Sequence, residues 1–248
     1  MGGSLWGESR SALFNFCRRR LGLKPLLDRV QARQRLIGIC DRPIRTVFDI
    51  GANVGKMAKL FRRRFPDAQI YCVEPLPACH ARLEAWAGRQ GGTAKLFKCA
   101  VGARPGEATI WWNTGHWGGS SLVNPIGVGP GAAATSPLRP LEVRLETLDR
   151  LASQVPVESE ILVKIDVEGF ELEVIRGGAE TLGRASAVIV EVALLDSASR
   201  PEFLSVASAL AELGYAYRGH LGCAWVNGIP HLADAVFLKN DASQRQAA

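Results

Sequence analysis

Short apolar runs that end in glycine-rich or acidic turns, separated by stretches of helical periodicity, predict an α/β protein with a mostly parallel sheet covered by helices on both faces. Two observations carry that prediction. Thr46–Ile50, Gln69–Val73, Ile161–Ile165 and Ala187–Val192 are short and apolar nearly throughout, as strands buried on both sides are. The composition, 47% hydrophobic and 22% charged over 248 residues, gives enough apolar surface for one large core without calling for disorder or disulfide scaffolding.

The elements follow in order. Residues 1–44 read as a basic helical arm. Leu13, Phe14, Phe16, Cys17 and Leu21 share one face beside Arg18, Arg19 and Arg20, and a second helical pattern (Leu26, Leu27, Val30, Ile37) follows Pro25. A domain over 45–240 begins with strand 46–50, helix 54–65, strand 69–73, helix 77–89 and a third strand over 94–101. A hairpin is expected around Pro105-Gly106. Residues 113–137, with six glycines and three prolines, read as an irregular functional loop or lid. Then come strand 161–165, a helix from about 171, strand 187–192, helix 201–213, and strands at 215–218 and 233–238. The tail, 241–248, is expected to fray.

The charge pattern restricts the partners. The formal net charge of +6 is concentrated in residues 1–45, which hold ten basic and three acidic residues; the remainder holds 20 basic and 21 acidic. A fold that tracks phosphates carries its basic residues on the fold itself, so nucleic acid is not expected. A basic amphipathic helix can lie on an anionic membrane, but a solvated basic face on a helix packed against the domain is the preferred reading. No run approaches the roughly 18 apolar residues of a membrane-spanning helix, and the first residues do not read as a secretory signal. Six cysteines without CxxC pairing suit free thiols in a reducing cytoplasm, and a structural zinc site is not expected.

In an open parallel sheet, ligands bind beyond the carboxyl ends of the strands. The first strand runs into Asp49-Ile50-Gly51-Ala52-Asn53-Val54-Gly55 and then directly into a helix; glycine there permits a sharp turn and a close ligand approach. Glu74 ends the second strand, 23 residues after Gly51, where a carboxylate can accept both hydroxyls of a ribose. Together these features point to an adenosine-containing cofactor. Gly51 and Gly55 do not form the GxGxxG of nicotinamide-binding turns, which disfavours a dinucleotide-dependent oxidoreductase. The fourth strand delivers Lys164-Ile165-Asp166-Val167-Glu168-Gly169-Phe170-Glu171. Lys164, Asp166 and Glu168 share a side if the chain stays extended, and Glu171 is placed to cap a helix. Either catalysis or capping with a Lys–Asp ion pair accounts for this segment. His116 is a rival base or a surface histidine. Trp111, Trp112 and Trp117 either stack on an acceptor or pack onto the sheet.

The motifs VFDIGANVG (47–55), VEP (73–75), CAVG (99–102), GGSSL (118–122), ETLDRL (146–151), LVKIDVEGFELEVIRGG (162–178) and VEV (190–192) occur in one order, and with them the chain resembles the FkbM family of S-adenosylmethionine-dependent methyltransferases. The resemblance covers roughly 44–240. It implies a class I Rossmann-like methyltransferase fold, with a seven-stranded sheet whose last strand is antiparallel. It assigns the Asp49–Gly55 turn, including Gly51, Ala52, Asn53 and Gly55, to the methionine part of the cofactor, Glu74 to its ribose, and Ala100 and Val101 to the adenine. It implies an active-site acid at Asp166 and O-methylation of a hydroxyl on a small molecule, natural product or sugar.

Such a transfer needs alignment and removal of the hydroxyl proton, for which Asp166 and Glu168 are the candidates, with Lys164 as electrostatic partner. A divalent ion on Asp166, Glu168 and Glu191 is a further option that carboxylates alone do not establish. The competing reading is a non-catalytic binding or scaffold protein on the same fold. Oligomeric state is not encoded in any motif.

Overall fold

The computed structural model describes residues 36–114, 120–123, 138–195 and 201–240. The arm up to residue 35, His116, Trp117 and the tail from 241 lie outside the described residues. The chain folds as β1 (Thr46–Ile50), α1 (Lys56–Arg64), β2 (Gln69–Val73), α2 (Pro77–Ala87), β3 (Ala94–Phe97), β4 (Ala100–Val101), β5 (Gly106–Asn113), β6 (Leu138–Glu146) and α3 (Leu148–Ala152). It continues with β7 (Ile161–Ile165), α4 (Glu171–Gly177), α5 (Ala179–Arg184), β8 (Ala187–Ala193), α6 (Phe203–Glu212), β9 (Tyr215–Val226) and β10 (Ile229–Lys239).

Seven strands form one sheet in the order β3-β2-β1-β7-β8-β10-β9, with β10 antiparallel to both neighbours and the other pairs parallel. Side chains alternate between faces, so Phe48 and Ile50 enter one core with Leu148, Val174, Leu182 and Val206. Val47, Ile70 and Ile189 enter the other with Phe61 and Leu83. Helices α1 and α2 thus cover one face and α3 to α6 the other. From β1 the chain builds outward to β2 and β3, then returns to place β7 on the opposite side of β1. The strand order therefore reverses between β1 and β7, and a ligand crevice belongs at their carboxyl ends.

Three expectations are corrected. The apolar run 94–101 is not one strand: β3 stops at Phe97, Lys98 turns out to pair with Glu84, and Ala100–Val101 joins a second sheet, β4-β6-β5. No hairpin forms at Pro105-Gly106; β5 starts there and pairs with β6, beyond the long loop. The last two strands extend well past 218 and begin before 233, meeting at Asn227-Gly228, both in the left-handed region. Residues with positive φ at both turn positions are what a two-residue hairpin needs, so this dipeptide was the missed signal. The end of the arm already belongs to the domain, since Leu36, Ile39 and Ile44 are buried in the α1 and α2 layer.

Candidate active site

The turn after β1 is built by backbone contacts. Gly51 and Ala52 both donate to the Val73 carbonyl, and the Asp166 amide donates to the Ile50 carbonyl, which draws the ends of β1, β2 and β7 together. Gly51 has φ +77°, and a Cβ there would lie 1.7 Å from the Asp166 carbonyl oxygen, so only glycine lets these two backbones meet. Gly55, at φ +77°, heads α1 with the Leu83 side chain 2.9 Å from where its Cβ would be.

Glu74 leaves the end of β2 almost fully buried. Its Oε2 accepts the Asn53 amide at 2.7 Å and its Oε1 the Leu76 amide at 2.9 Å. A carboxylate offers about four lone-pair positions, so two amides fix its orientation and leave capacity for two hydroxyl donors. Burial pushes its pKa up to about 7, against the pull of the two amides.

Glu74 and Gly51 open onto a cavity enclosing about 620 Å³ of non-atom space, its mouth included. Its walls include Asn53, Ala100, Val101, Asp166 and Glu168, with Ile110, Ser120 and Leu122 entering from the second sheet and the segment after it. Of the residues assigned to cofactor from the sequence, Gly51, Asn53, Glu74, Ala100 and Val101 line this cavity. Asp49, Ala52 and Gly55 stand behind its wall, because the turn rolls them into the layer beneath α1. Cys99 is also in the wall; burial raises its thiol pKa to about 11, so it is a neutral apolar surface.

Beyond Gly51 the charged residues converge. Lys164 is buried and donates to Asp166 Oδ2 at 2.7 Å, with Asp49 Oδ1 at 4.0 Å, side by side across β1 and β7. Burial works against its charge, but Asp166, Asp49 and Asp234 outweigh that and raise its pKa. It is therefore a permanent cation and not a proton acceptor. Asp49 is wholly buried, and burial raises its pKa against the pull of Lys164 and of the Ala58 amide. Asp234 on β10, which the sequence reading overlooked, completes this group. Its pKa is likewise raised by burial, with Lys164 opposing.

The loop after β7 is tied from several directions. Glu171, the first residue of α4, is buried and accepts the amides of Val167 and Gly169 in the preceding loop, so it ties that loop rather than capping the helix, and burial raises its pKa. The Ser121 hydroxyl donates to the Glu168 carbonyl, while Ser121 pairs with Trp111 through both backbone groups. Glu168 sits at φ +59°, so the chain is not extended here; the reversal still returns its side chain to Asp166. Carboxylate oxygens of Asp166, Glu168 and Glu191 lie within 4.8 Å of one another, close enough to hold a divalent ion. Trp112 packs in the apolar layer beside Leu122 and Leu141, and neither Trp111 nor Trp112 lines the cavity.

A model of the methyltransferase FkbM domain matches residues 49–217. The 2-O-methyltransferase NoeI of Sinorhizobium fredii is 28% identical over 176 residues, covering 68% of this chain and 72% of its own. The 31-O-demethyl-FK506 methyltransferase FkbM of Streptomyces tacrolimicus is 28% identical over 210 residues, 74% of each chain. The hexuronic acid methyltransferase AglP of Haloferax volcanii is 27% identical over 168 residues, 67% of this chain and 64% of its own. The matched span runs from the Asp49 turn through the Asp166 loop to β9, and the chain belongs to the methyltransferase FkbM domain family.

Proposed function

We propose that this methyltransferase uses S-adenosylmethionine and delivers the methyl group to a hydroxyl of a natural product or sugar. The observation that carries the cofactor is Glu74, a buried carboxylate aimed into the cavity by two backbone amides with acceptor capacity left over. Asn53 and Gly51 hold the methionine end in this reading, Glu74 the ribose, and Ala100, Val101 and Ile110 the adenine. Asp49, Ala52 and Gly55 shape the turn from behind.

Bound S-adenosylmethionine supplies a methyl group on a sulfonium, and the acceptor oxygen gains the carbon as the carbon–sulfur bond breaks and its electron pair stays on sulfur. Asp166 takes the hydroxyl proton. Its Oδ2 is held by Lys164, and both Asp166 and Glu168 line the cavity, with carboxylate oxygens within 4.8 Å of one another. Alignment of this kind supplies most of what a direct displacement needs from a protein. The Asp166, Glu168 and Glu191 cluster supports a second way to activate the hydroxyl, through a divalent cation, and chelator treatment during turnover separates the two. The hydroxyl acceptor is carried by the names of the relatives, two of which are O-methyltransferases.

Isotopically labelled S-adenosylmethionine offered with a panel of hydroxylated sugars and natural products tests the reading. A labelled methyl group should appear as an ether on an acceptor oxygen, and this transfer should be lost with Asp166→Ala while the variant stays folded. Near-normal transfer by that variant removes Asp166 from the mechanism.

A further inference from the structure

The roof of the cavity and the loop that carries the acids meet at Ser121. Ser121 and Trp111 exchange backbone hydrogen bonds at 2.8 and 3.3 Å in an antiparallel bridge, which sets Leu122 opposite Ile110 and continues the second sheet over the cavity. The Ser120 hydroxyl accepts the Asn113 amide at 3.0 Å and so fastens this segment to the end of β5 a second time. Ile110, Ser120 and Leu122 all line the cavity. Side chains alternate at such a bridge, so Ser121 turns out of the cavity between its two neighbours and is not part of the wall. Its hydroxyl accepts the Val123 amide at 3.0 Å and donates its single proton to the Glu168 carbonyl, across 47 positions of chain.

The Glu168 carbonyl is where such a bond has most effect. Glu168 is a non-glycine residue at φ +59°, a backbone that side chains rarely adopt, and Gly169 follows at φ +111°. This reversal brings the Glu168 carboxylate within 4.8 Å of the Asp166 oxygens. Other anchors of the loop come from its own surroundings: the Asp166 amide donates to the Ile50 carbonyl, and the Val167 and Gly169 amides donate to Glu171. Ser121 comes instead from the segment that covers the nucleoside end of the cavity. Movement of that roof therefore pulls on Glu168, and a ligand packed on Ile110 and Leu122 steadies it.

We propose that Ser121 is a positioning residue that couples the two ends of the cavity. The nucleoside of the cofactor holds the roof in place, and Ser121 passes that restraint to Glu168 and so to the geometry of the acids. This rests on the methyltransferase reading and gives the Ser120-Ser121-Leu122 part of the GGSSL motif a role in it. Ser121 touches neither cofactor nor acceptor and is not itself catalytic. The acids take up their working geometry as the nucleoside binds.

Adenosine isolates this coupling, because it carries the nucleoside without the homocysteine chain that would lie against the acid loop. Hydrogen exchange of the Val167 and Gly169 amides is measured in the full chain with and without saturating adenosine. In the wild type, adenosine should slow both amides by about twofold to fivefold, within what one net hydrogen bond contributes. In Ser121→Ala, which should still bind adenosine, the slowing should disappear, and Ser121→Thr, which keeps the hydroxyl, should retain it. A merely structural role would speed exchange in Ser121→Ala and leave the adenosine-dependent change intact. An equal change in the wild type and Ser121→Ala therefore overturns the proposal. Adenosine that binds the wild type and slows neither amide overturns it too, with no variant needed. Failure of both adenosine and S-adenosylhomocysteine to bind the folded wild-type chain counts instead against the methyltransferase reading, which keeps the two failures distinct.

Discussion

The carbonyl oxygen of Asp166 occupies the place that the Cβ of any residue other than glycine would take at position 51, 1.7 Å from its ideal position. This contact joins the turn that reads as the cofactor's to the loop that carries the acid, and no side chain mediates it. Gly51→Ala must therefore move one backbone or the other. The left-handed φ alone costs about 1–2 kcal/mol, and the overlap adds to it. Thermal denaturation should show a loss of several degrees, at about 2–4 °C per kcal/mol for a chain of this size, together with loss of S-adenosylhomocysteine binding. A variant with wild-type Tm and affinity would mean that the two backbones are not in contact.

Glu74 gives the site a pH dependence. Its pKa is raised from 4.5 to about 7 by burial, so in the free protein it takes up a proton as pH falls below neutrality. Ribose hydroxyls donate to the ionised form. S-adenosylhomocysteine affinity should accordingly rise between pH 6 and 8 and level off above, and the rise should vanish in Glu74→Gln. The sign for stability is opposite: a raised carboxyl pKa stabilises the free fold below its ordinary pKa, and that contribution is lost as pH rises through about 7. Affinity that falls over the same interval contradicts this assignment.

Lys164 balances buried carboxylates. Its raised pKa means that its contribution is complete below the ordinary value of 10.5 and is lost only as pH rises through the folded value, so it is constant across the neutral range. Lys164→Met leaves Asp49 and Asp166 without their cation, a loss on the order of 3–5 kcal/mol. Because burial raises the Asp49 pKa, the deficit should shrink as pH falls and that carboxyl is protonated. Denaturation midpoints at several pH values check this; a deficit independent of pH would contradict it.

Ser121 reaches across to the Glu168 carbonyl and holds a non-glycine residue in left-handed backbone. Removing that hydroxyl takes away a bond contributing about 0.5–1.5 kcal/mol. In Ser121→Ala, the amides of Val167 and Gly169 should exchange with deuterium about fivefold faster, with little change in global stability. Unchanged exchange would show that Glu171 holds the loop unaided.

What could be read in advance follows from what each signal measures. β1, β2, β7 and β8 are continuous apolar runs because both their faces are covered, and their limits agree with the structure to within a residue. The run through Ala94–Val101 misled for the same reason: it is apolar in two sheets at once, and periodicity does not reveal a change of partner between Phe97 and Ala100. Gly51, Asn53, Glu74, Asp166 and Glu168 were legible because they follow strand ends directly, whereas Ala100 and Val101, which form β4, came only from the family resemblance. Asp234 was not legible, and Ser121 and Leu122 were visible only as members of the GGSSL motif, with no role assigned. Each is remote in sequence and reaches the site only through pairing: Asp234 opposite Glu191 and Ser121 opposite Trp111. Asp49 was legible as important but misplaced, since its position in β1 turns it away from the cavity toward Lys164.

Calorimetric titration of the purified protein with S-adenosylmethionine, with NAD run in parallel and both repeated on Glu74→Ala, tests the cofactor site directly. Saturable binding of S-adenosylmethionine alone, weakened at least tenfold by the substitution, is the expected result. A folded protein that ignores S-adenosylmethionine, or a variant that binds it as tightly as the wild type, would contradict the site built on Gly51 and Glu74.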